Sequence, residues 1–244
     1  MAHPKPYIVE TEAAKSLHFT QGETQSRMWK REPDALVFEY TRLMMGFALF
    51  APDVRDIAMI GLGGGSLAKF CHRYLPRARI DVVEINPHVI ALRDAFRVPP
   101  DDRRFTVHAD DGVRFMRAVA RRYDALLLDG YDHAGMPARL RAPAFIADCR
   151  AALEPAGLFV VNINSDDTNA ARFIASVRAE FDERVLVVDD AAGGNRVVFA
   201  GAPLARRVGA IERPESLARE AWAQLVLPYA RIRTAQHGWL AARA

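Results

Sequence analysis

The stretch Asp56-Ile-Ala-Met-Ile-Gly-Leu-Gly-Gly-Gly-Ser66 constrains the fold more than any other part of the chain. Ile57, Ala58, Met59 and Ile60 read as a buried strand. Gly61, Gly63, Gly64 and Gly65 follow, and then a helix-like run from Ser66 to Leu75. A strand that ends in glycines and turns into a helix lets backbone N–H groups approach a ligand with no side chain in the way. Ile80-Asp-Val-Val-Glu84 reads as a second strand ending in an acid. Glu84 lies about 20 residues beyond Gly65, the separation at which a carboxylate reaches a ribose hydroxyl. Loop and acid together point to a ligand that contains a nucleoside.

Strands and helices then alternate. The pattern predicts strands over 56–61, 79–84, 104–108, 124–129 and 158–162, and helices over 66–75, 87–96, 112–120, 142–153 and 169–181. Continuously apolar strands in this order predict a parallel sheet covered on both faces. The end differs: Arg184–Val188 and Asn195–Ala200 flank Gly193-Gly194-Asn195, a hairpin signature that makes the last strand antiparallel. The expected fold is therefore α/β and doubly wound, a mostly parallel seven-stranded sheet with an antiparallel last strand. That is the arrangement of class I S-adenosylmethionine-dependent transferases (methyltransferase-like). Gly61-x-Gly63-x-Gly65 suits that fold, whereas a dinucleotide site wants glycine at position 66, which is Ser. Residues 1–50 read as a short N-terminal β/helical segment, with strands near 7–10 and 16–20, a turn near Gln21-Gly22 and a helix over 36–50 closed by Pro52. Residues 51–202 form the nucleoside-binding Rossmann-like domain, and 203–244 a C-terminal extension, helical over about 214–227.

Composition excludes several classes of function. The 244 residues suit one α/β domain with small additions. The net charge is +3, and basic pairs such as Arg103-Arg104 and Arg206-Arg207 are scattered without interleaved aromatics, so no nucleic-acid partner is expected. No N-terminal apolar run has signal-peptide form and none reaches the ~18 residues needed to span a bilayer, which predicts a soluble, cytoplasmic protein with no membrane partner. Cys71 and Cys149 fall inside predicted helices with no Cys-x-x-Cys spacing and read as buried free thiols. His18, His72 and His88 lack metal-ligand spacing, so no metal is expected.

The carboxyl ends of parallel strands line one edge of a sheet, where ligands bind. Here that edge collects Gly61–Gly65, Glu84, Asp110-Asp111 and Asp129-Gly-Tyr-Asp132. Any one acid at a strand end can be a helix cap or a solvated loop residue, and for Asp110 that reading stands level with a ligand role. Asp129 and Asp132, three apart in a turn, suit binding an ammonium group or accepting its proton. His133 beside them is a weaker acid/base candidate. Asn162 and Asn164, at the end of the fifth strand, are candidates for the same edge.

These motifs resemble those of the spermidine synthases, the polyamine aminopropyltransferases, from about Gly22 to Ala200. Gly61-Leu-Gly-Gly-Gly-Ser-Leu67 is similar to the family's Gly-Gly-Gly-Asp-Gly-Gly loop, Glu84 to its acid after the second strand, Asp111-Gly112 to its Asp-Gly, and Asp129-Gly-Tyr-Asp132-His to its Asp-Ser/Thr-Ser/Thr-Asp-Pro. Gly22-Glu-Thr-Gln25 resembles the N-terminal Gly-x-x-Gln, and Asp34-Ala-Leu-Val-Phe-Glu-Tyr40 the Asp-Glu-Phe-x-Tyr-x-Glu stretch. The resemblance implies catalytic roles for Asp129, as general base, and Asp132, holding the amine chain. It implies that Gln25, Glu84, Ile85, Asp111 and Gly112, with Gly61, Gly63, Gly64 and Gly65, bind decarboxylated S-adenosylmethionine or S-adenosylmethionine as co-substrate, without a metal. It further implies a small-molecule amine substrate and a homodimer. The chain departs from the pattern in its amine half. The glycine-loop Asp has no counterpart, its place being set at Gly63; Phe38 stands for the Tyr and Tyr40 for the Glu of the N-terminal stretch; and Asp190-Ala-Ala-Gly-Gly-Asn195 replaces the late Tyr-Pro-Ser-Gly-x-Trp. The alternatives are a methyltransferase acting on a small molecule and a nucleoside-binding protein without catalysis.

Overall fold

The computed structural model describes residues 3–21, 24–131, 135–215 and 217–243. Three short antiparallel strands come first: β1 (Tyr7–Glu10), β2 (Ala14–His18) and β3 (Ser26–Trp29). The third is unforeseen by the sequence, because Ser26 and Arg27 hide the alternation that buries Ser26 and Met28. Two helices follow, α1 (Glu39–Met44) and α2 (Phe47–Phe50), where a single helix is expected over 36–50. The break falls at Gly46, where a Cβ would come within 2.4 Å of Ile232 Cδ1 and 2.9 Å of the Leu43 carbonyl oxygen. A C-terminal helix crosses there, and only glycine lets it approach.

The central sheet contains β4 (Asp56–Ile60), β5 (Arg79–Glu84), β6 (Phe105–Ala109), β7 (Tyr123–Leu128), β8 (Leu153–Asn164), β9 (Val185–Asp189) and β10 (Asn195–Ala200). Their order is β6-β5-β4-β7-β8-β10-β9, parallel except for β10, which runs antiparallel to both neighbours. The expected seven-stranded sheet with an antiparallel last strand is therefore the observed one. The helices between strands are α3 (Ser66–Tyr74), α4 (Pro87–Ile90), α5 (Gly112–Ala118), α6 (Pro143–Ala151) and α7 (Ala170–Glu180), and α8 (Arg219–Ala241) closes the chain.

Three boundaries differ from expectation for visible reasons. The helix expected over 87–96 is α for one turn only; it continues as tight turns, with Lys69 Nζ donating to the Phe96 carbonyl at 2.8 Å. β8 begins at Leu153 rather than 158 and carries Pro155-Ala-Gly157 through a register irregularity beside β7, where a Cβ on Gly157 would lie 2.8 Å from the Tyr123 carbonyl oxygen. The C-terminal helix spans 219–241, not 214–227: it runs through Pro228, because burial of Leu225, Tyr229, Ile232 and Gln236 outweighs the one lost N–H bond.

Strand alternation builds two cores. Ile57 and Met59 of β4 face a cluster shared with Leu17, Leu36, Phe47, Phe70, Leu225 and Ile232. Ala58 and Ile60 face the other, with Met116, Phe145, Ile146, Phe173 and Val177. Each buried Leu, Ile or Phe contributes about 1.5–3 kcal/mol. The N-terminal sheet and α8 thus cover the same face of the central sheet and leave its carboxyl edge open. Among the described residues, no helix is long and apolar enough to cross a membrane.

Candidate active site

The strand order turns back between β4 and β7, and a crevice must open beyond the carboxyl ends at such a point. A cleft of about 1120 Å³ lies there. Gln25, Gly61, Gly63, Glu84, Ile85, Asp111, Gly112 and Asp129 all line it.

The glycine loop is shaped by close approach. Gly61 has φ +98°, and a Cβ there would sit 2.2 Å from the Asp129 carbonyl oxygen, so only glycine lets the ends of β4 and β7 meet. Gly64 and Gly65 stand behind the cleft wall. A Cβ on Gly64 would meet Ser26 Oγ at 2.6 Å and Phe96 at 3.0 Å. The missing acid of the loop, set at Gly63 by the sequence comparison, belongs at Gly64 when the six places are counted in order. Ser26 of β3 fills the volume that this acid would need. Its hydroxyl lies 3.5 Å from that of Ser66, so two hydroxyls stand where the resembled family has a carboxylate.

Glu84 is 8 % exposed and holds two loops at once. Its Oε2 accepts from Leu62 N at 3.0 Å and its Oε1 from Asn86 N at 2.8 Å. Burial pushes its carboxyl above the usual range, and these backbone donors oppose the rise. Asp111 caps α5 through Val113 N at 2.8 Å, and its other oxygen pairs with Arg139. Asp110 turns instead to Arg114 on the next helical turn, the bland role that the sequence leaves open for it.

Asp129 follows β7 directly. Its Oδ1 accepts from Asn162 Nδ2 at 2.9 Å and its Oδ2 from the Tyr40 hydroxyl at 3.2 Å. Burial pushes the carboxyl up, while Asn162 and then Tyr40 pull it down. Burial and the nearby Asp129 charge drive the Tyr40 phenol up, which keeps it a donor. Asn162 and Asn164, at the expected end of the fifth strand, both line the cleft. Asn195, Tyr40 and Arg139 are residues that sequence reasoning missed as site members. Tyr40 sits in the first turn of α1, just past the extended Phe38, and the two rings stack with centroids 6.0 Å apart. Asp132, His133, Gly22 and Glu23 lie outside the described residues. His108 bonds Asp81 at 2.8 Å within a network that also takes in Arg121 and Tyr123, away from the cleft.

The cleft is acidic although the protein is basic. Glu39, Glu84, Asp111, Asp129, Asp166 and Asp190 line it, against Arg139 and His3. Its far wall is the β9–β10 turn, fastened by Ala191 N to Glu39 Oε2 at 3.0 Å. Arg231 of α8 pairs with Glu39 Oε1 at 3.2 Å and donates to the Asp189 carbonyl at 3.3 Å.

The family model for the spermine/spermidine synthase domain matches residues 37–181. A polyamine aminopropyltransferase of Chromobacterium violaceum is 38% identical over 200 residues, 82% of this chain and 77% of that protein. An eEF1A lysine and N-terminal methyltransferase homolog of Drosophila pseudoobscura is 32% identical over 138 residues, 52% of this chain and 20% of its own. A crystal structure of a probable spermidine synthase from Corynebacterium glutamicum superposes with a TM-score of 0.70 at 22% identity, covering 90% of this chain and 81% of the other.

Proposed function

The chain is an enzyme of the spermine/spermidine synthase family, and on that premise we propose that its cleft transfers an aminopropyl group from decarboxylated S-adenosylmethionine to an amine, with Asp129 as general base. The observation that carries this reading is Asp129 itself, half-buried at the meeting point of β4 and β7 with a donor on each oxygen.

The residues present fit the co-substrate. Gln25, Glu84, Ile85, Asp111 and Gly112 line the cleft around the loop that Gly61 leaves bare of side chains, and they would hold the thioadenosine. When bound, the sulfonium supplies an activated methylene: the amine nitrogen bonds to that carbon as the carbon–sulfur bond breaks, and 5′-methylthioadenosine leaves. The protein attends to the amine. Acids in the cleft attract it as a cation. Asp129 orients the ammonium and takes a proton, freeing the lone pair. Burial makes this carboxylate a stronger base than a solvated one. Tyr40 and Asn162 fix its direction, so that amine and carbon meet in line. Asp132 would hold the rest of the amine chain.

The test is to incubate the protein with decarboxylated S-adenosylmethionine and a panel of diamines and polyamines, followed by mass spectrometry. Methylthioadenosine and an amine heavier by one aminopropyl group are expected, and both vanish in Asp129→Asn. No methylthioadenosine with any amine overturns the reading.

One observation favours a second reading, methyl transfer from intact S-adenosylmethionine. The glycine loop carries no carboxylate, and the hydroxyls of Ser26 and Ser66 in its place do not repel an α-carboxylate. The methyltransferase homolog is similar over 52% of this chain. An arm of the same experiment with intact S-adenosylmethionine then yields S-adenosylhomocysteine; its absence removes this alternative.

A further inference from the structure

The β9–β10 hairpin does more than wall the cleft. Asn195 opens β10 opposite Asn164 of β8. Its side-chain NH2 donates to Asn162 Oδ1 and to Asn164 Oδ1, each at 3.1 Å. Asn162 is buried, and its own NH2 donates to Asp129 Oδ1 at 2.9 Å. A carboxamide has an accepting end and a donating end of nearly equal shape, so its direction is set by its neighbours. The donor on Asn195 takes the carbonyl of Asn162, and that leaves the amino end for the carboxylate. The backbone is locked as well: Tyr131 Oη donates to the Asn162 carbonyl at 3.0 Å and accepts from Asn164 N at 2.9 Å.

We propose that Asn195 is a positioning residue for Asp129: by donating to Asn162 Oδ1 it fixes the amide with its NH2 toward the carboxylate, which keeps Asp129 ionised and aimed. This rests on Asp129 being the base. The groups facing Asp129 are Tyr40 from α1, Asn162 from β8 and Tyr131 from its own loop, with Glu39 and Asp190 further along the wall. Asn162 opposes the burial of Asp129 more than Tyr40 does. Inverting its amide would aim a carbonyl oxygen at an anion. An amide donor held by a second amide, rather than by backbone, makes the base's proton affinity depend on a hairpin residue that does not touch it.

The experiment is a carboxyl-carbon NMR titration of Asp129 in the full chain without substrate, its resonance assigned by loss in Asp129→Asn. Wild type, Asn195→Asp, Asn162→Ala and the double variant form a cycle. Asn195→Asp is expected to raise the proton affinity of Asp129 about tenfold, and by less than about threefold once Asn162 is Ala, because the path runs through that amide. Equal shifts in both backgrounds overturn the proposal, since they mean a charge acting through space; so does no shift at all. Asn195→Leu, neutral and of similar size, runs through the same cycle and carries the test if the Asp variant does not fold. Non-additivity with Asn162→Ala supports the proposal there and additivity overturns it. The titration needs no turnover, so a protein that aminopropylates nothing refutes the functional reading and leaves this result standing.

Discussion

The hydroxyl of Tyr40 donates to Asp129 at 3.2 Å across 89 residues of sequence. It does so from the place where the resembled family has a glutamate, while Phe38 occupies the tyrosine's place. Tyr40 lies in the first turn of α1 with its ring stacked on that of Phe38, so both aromatic side chains line the cleft. With tyrosine in the glutamate's place, position 40 carries no negative charge.

Tyr40→Phe tests that donor. Asp129 must be ionised to accept a proton. Burial raises its carboxyl and Tyr40 is one of two side chains lowering it. Without the hydroxyl the carboxyl rises further, so the acid limb of the pH–rate profile moves to higher pH. kcat/KM below that limb falls about tenfold, the worth of one hydrogen bond to a charged group. Superimposable profiles for the two proteins would contradict the role.

Asp129→Asn separates activity from stability. A carboxyl raised in the folded state binds its proton more tightly there than in the unfolded chain. Stability from this group is therefore greatest below the ordinary carboxylate range and declines as pH rises through the raised value. At neutral pH the ionised, partly desolvated form costs stability, and Asn removes that cost while Oδ1 still accepts from Asn162. The variant should melt higher than wild type at about pH 7, and the gap should narrow near about pH 4, with turnover down by more than about a hundredfold. A lower melting temperature at neutral pH would show the anion to be stabilising.

At the glycine loop, Gly61→Ala puts a methyl group 2.2 Å from the Asp129 carbonyl oxygen at φ +98°. The expected loss is about 1–3 kcal/mol in urea unfolding, with nucleoside binding lost by calorimetry. At Gly64, by contrast, the atoms nearest an added Cβ belong to the side chains of Ser26 and Phe96. Paired with Ser26→Gly, Gly64→Asp should fold and favour decarboxylated over intact S-adenosylmethionine in thermal-shift titrations. An unchanged preference would mean that this loop position does not contact the co-substrate's tail.

Arg231→Ala loosens the wall rather than the base. Arg231 ties α8 to Glu39 and to the Asp189 carbonyl, and Glu39 in turn accepts from Ala191 N. The amine's KM should rise severalfold while the affinity for methylthioadenosine stays unchanged. A matching loss of nucleoside affinity would mean that α8 supports the whole cleft.

The glycine loop and the acids beside it were legible because they are local. Gly61, Glu84 and Asp111 each sit within a strand–turn–helix unit whose period and turn residues identify it, and strand ends gather at one edge by topology alone. The surroundings of Asp129 were not legible for the opposite reason. Asp129 owes its surroundings to α1 and β8, and the hairpin residue Asn195 acts only through Asn162. Ser26 closes the space beside Gly64 from a strand whose polar residues give no pattern.

From its sequence alone this chain fixes a parallel, doubly wound sheet with one antiparallel strand, since apolar periodicity, glycines and turn residues act over a few positions. Only the folded molecule decides which donors meet Asp129, where the helix over 36–50 must break, and that α8 runs through Pro228. Those outcomes depend on van der Waals distances between segments up to 188 residues apart, as when Leu36 N finds Gln224, and no local propensity encodes them.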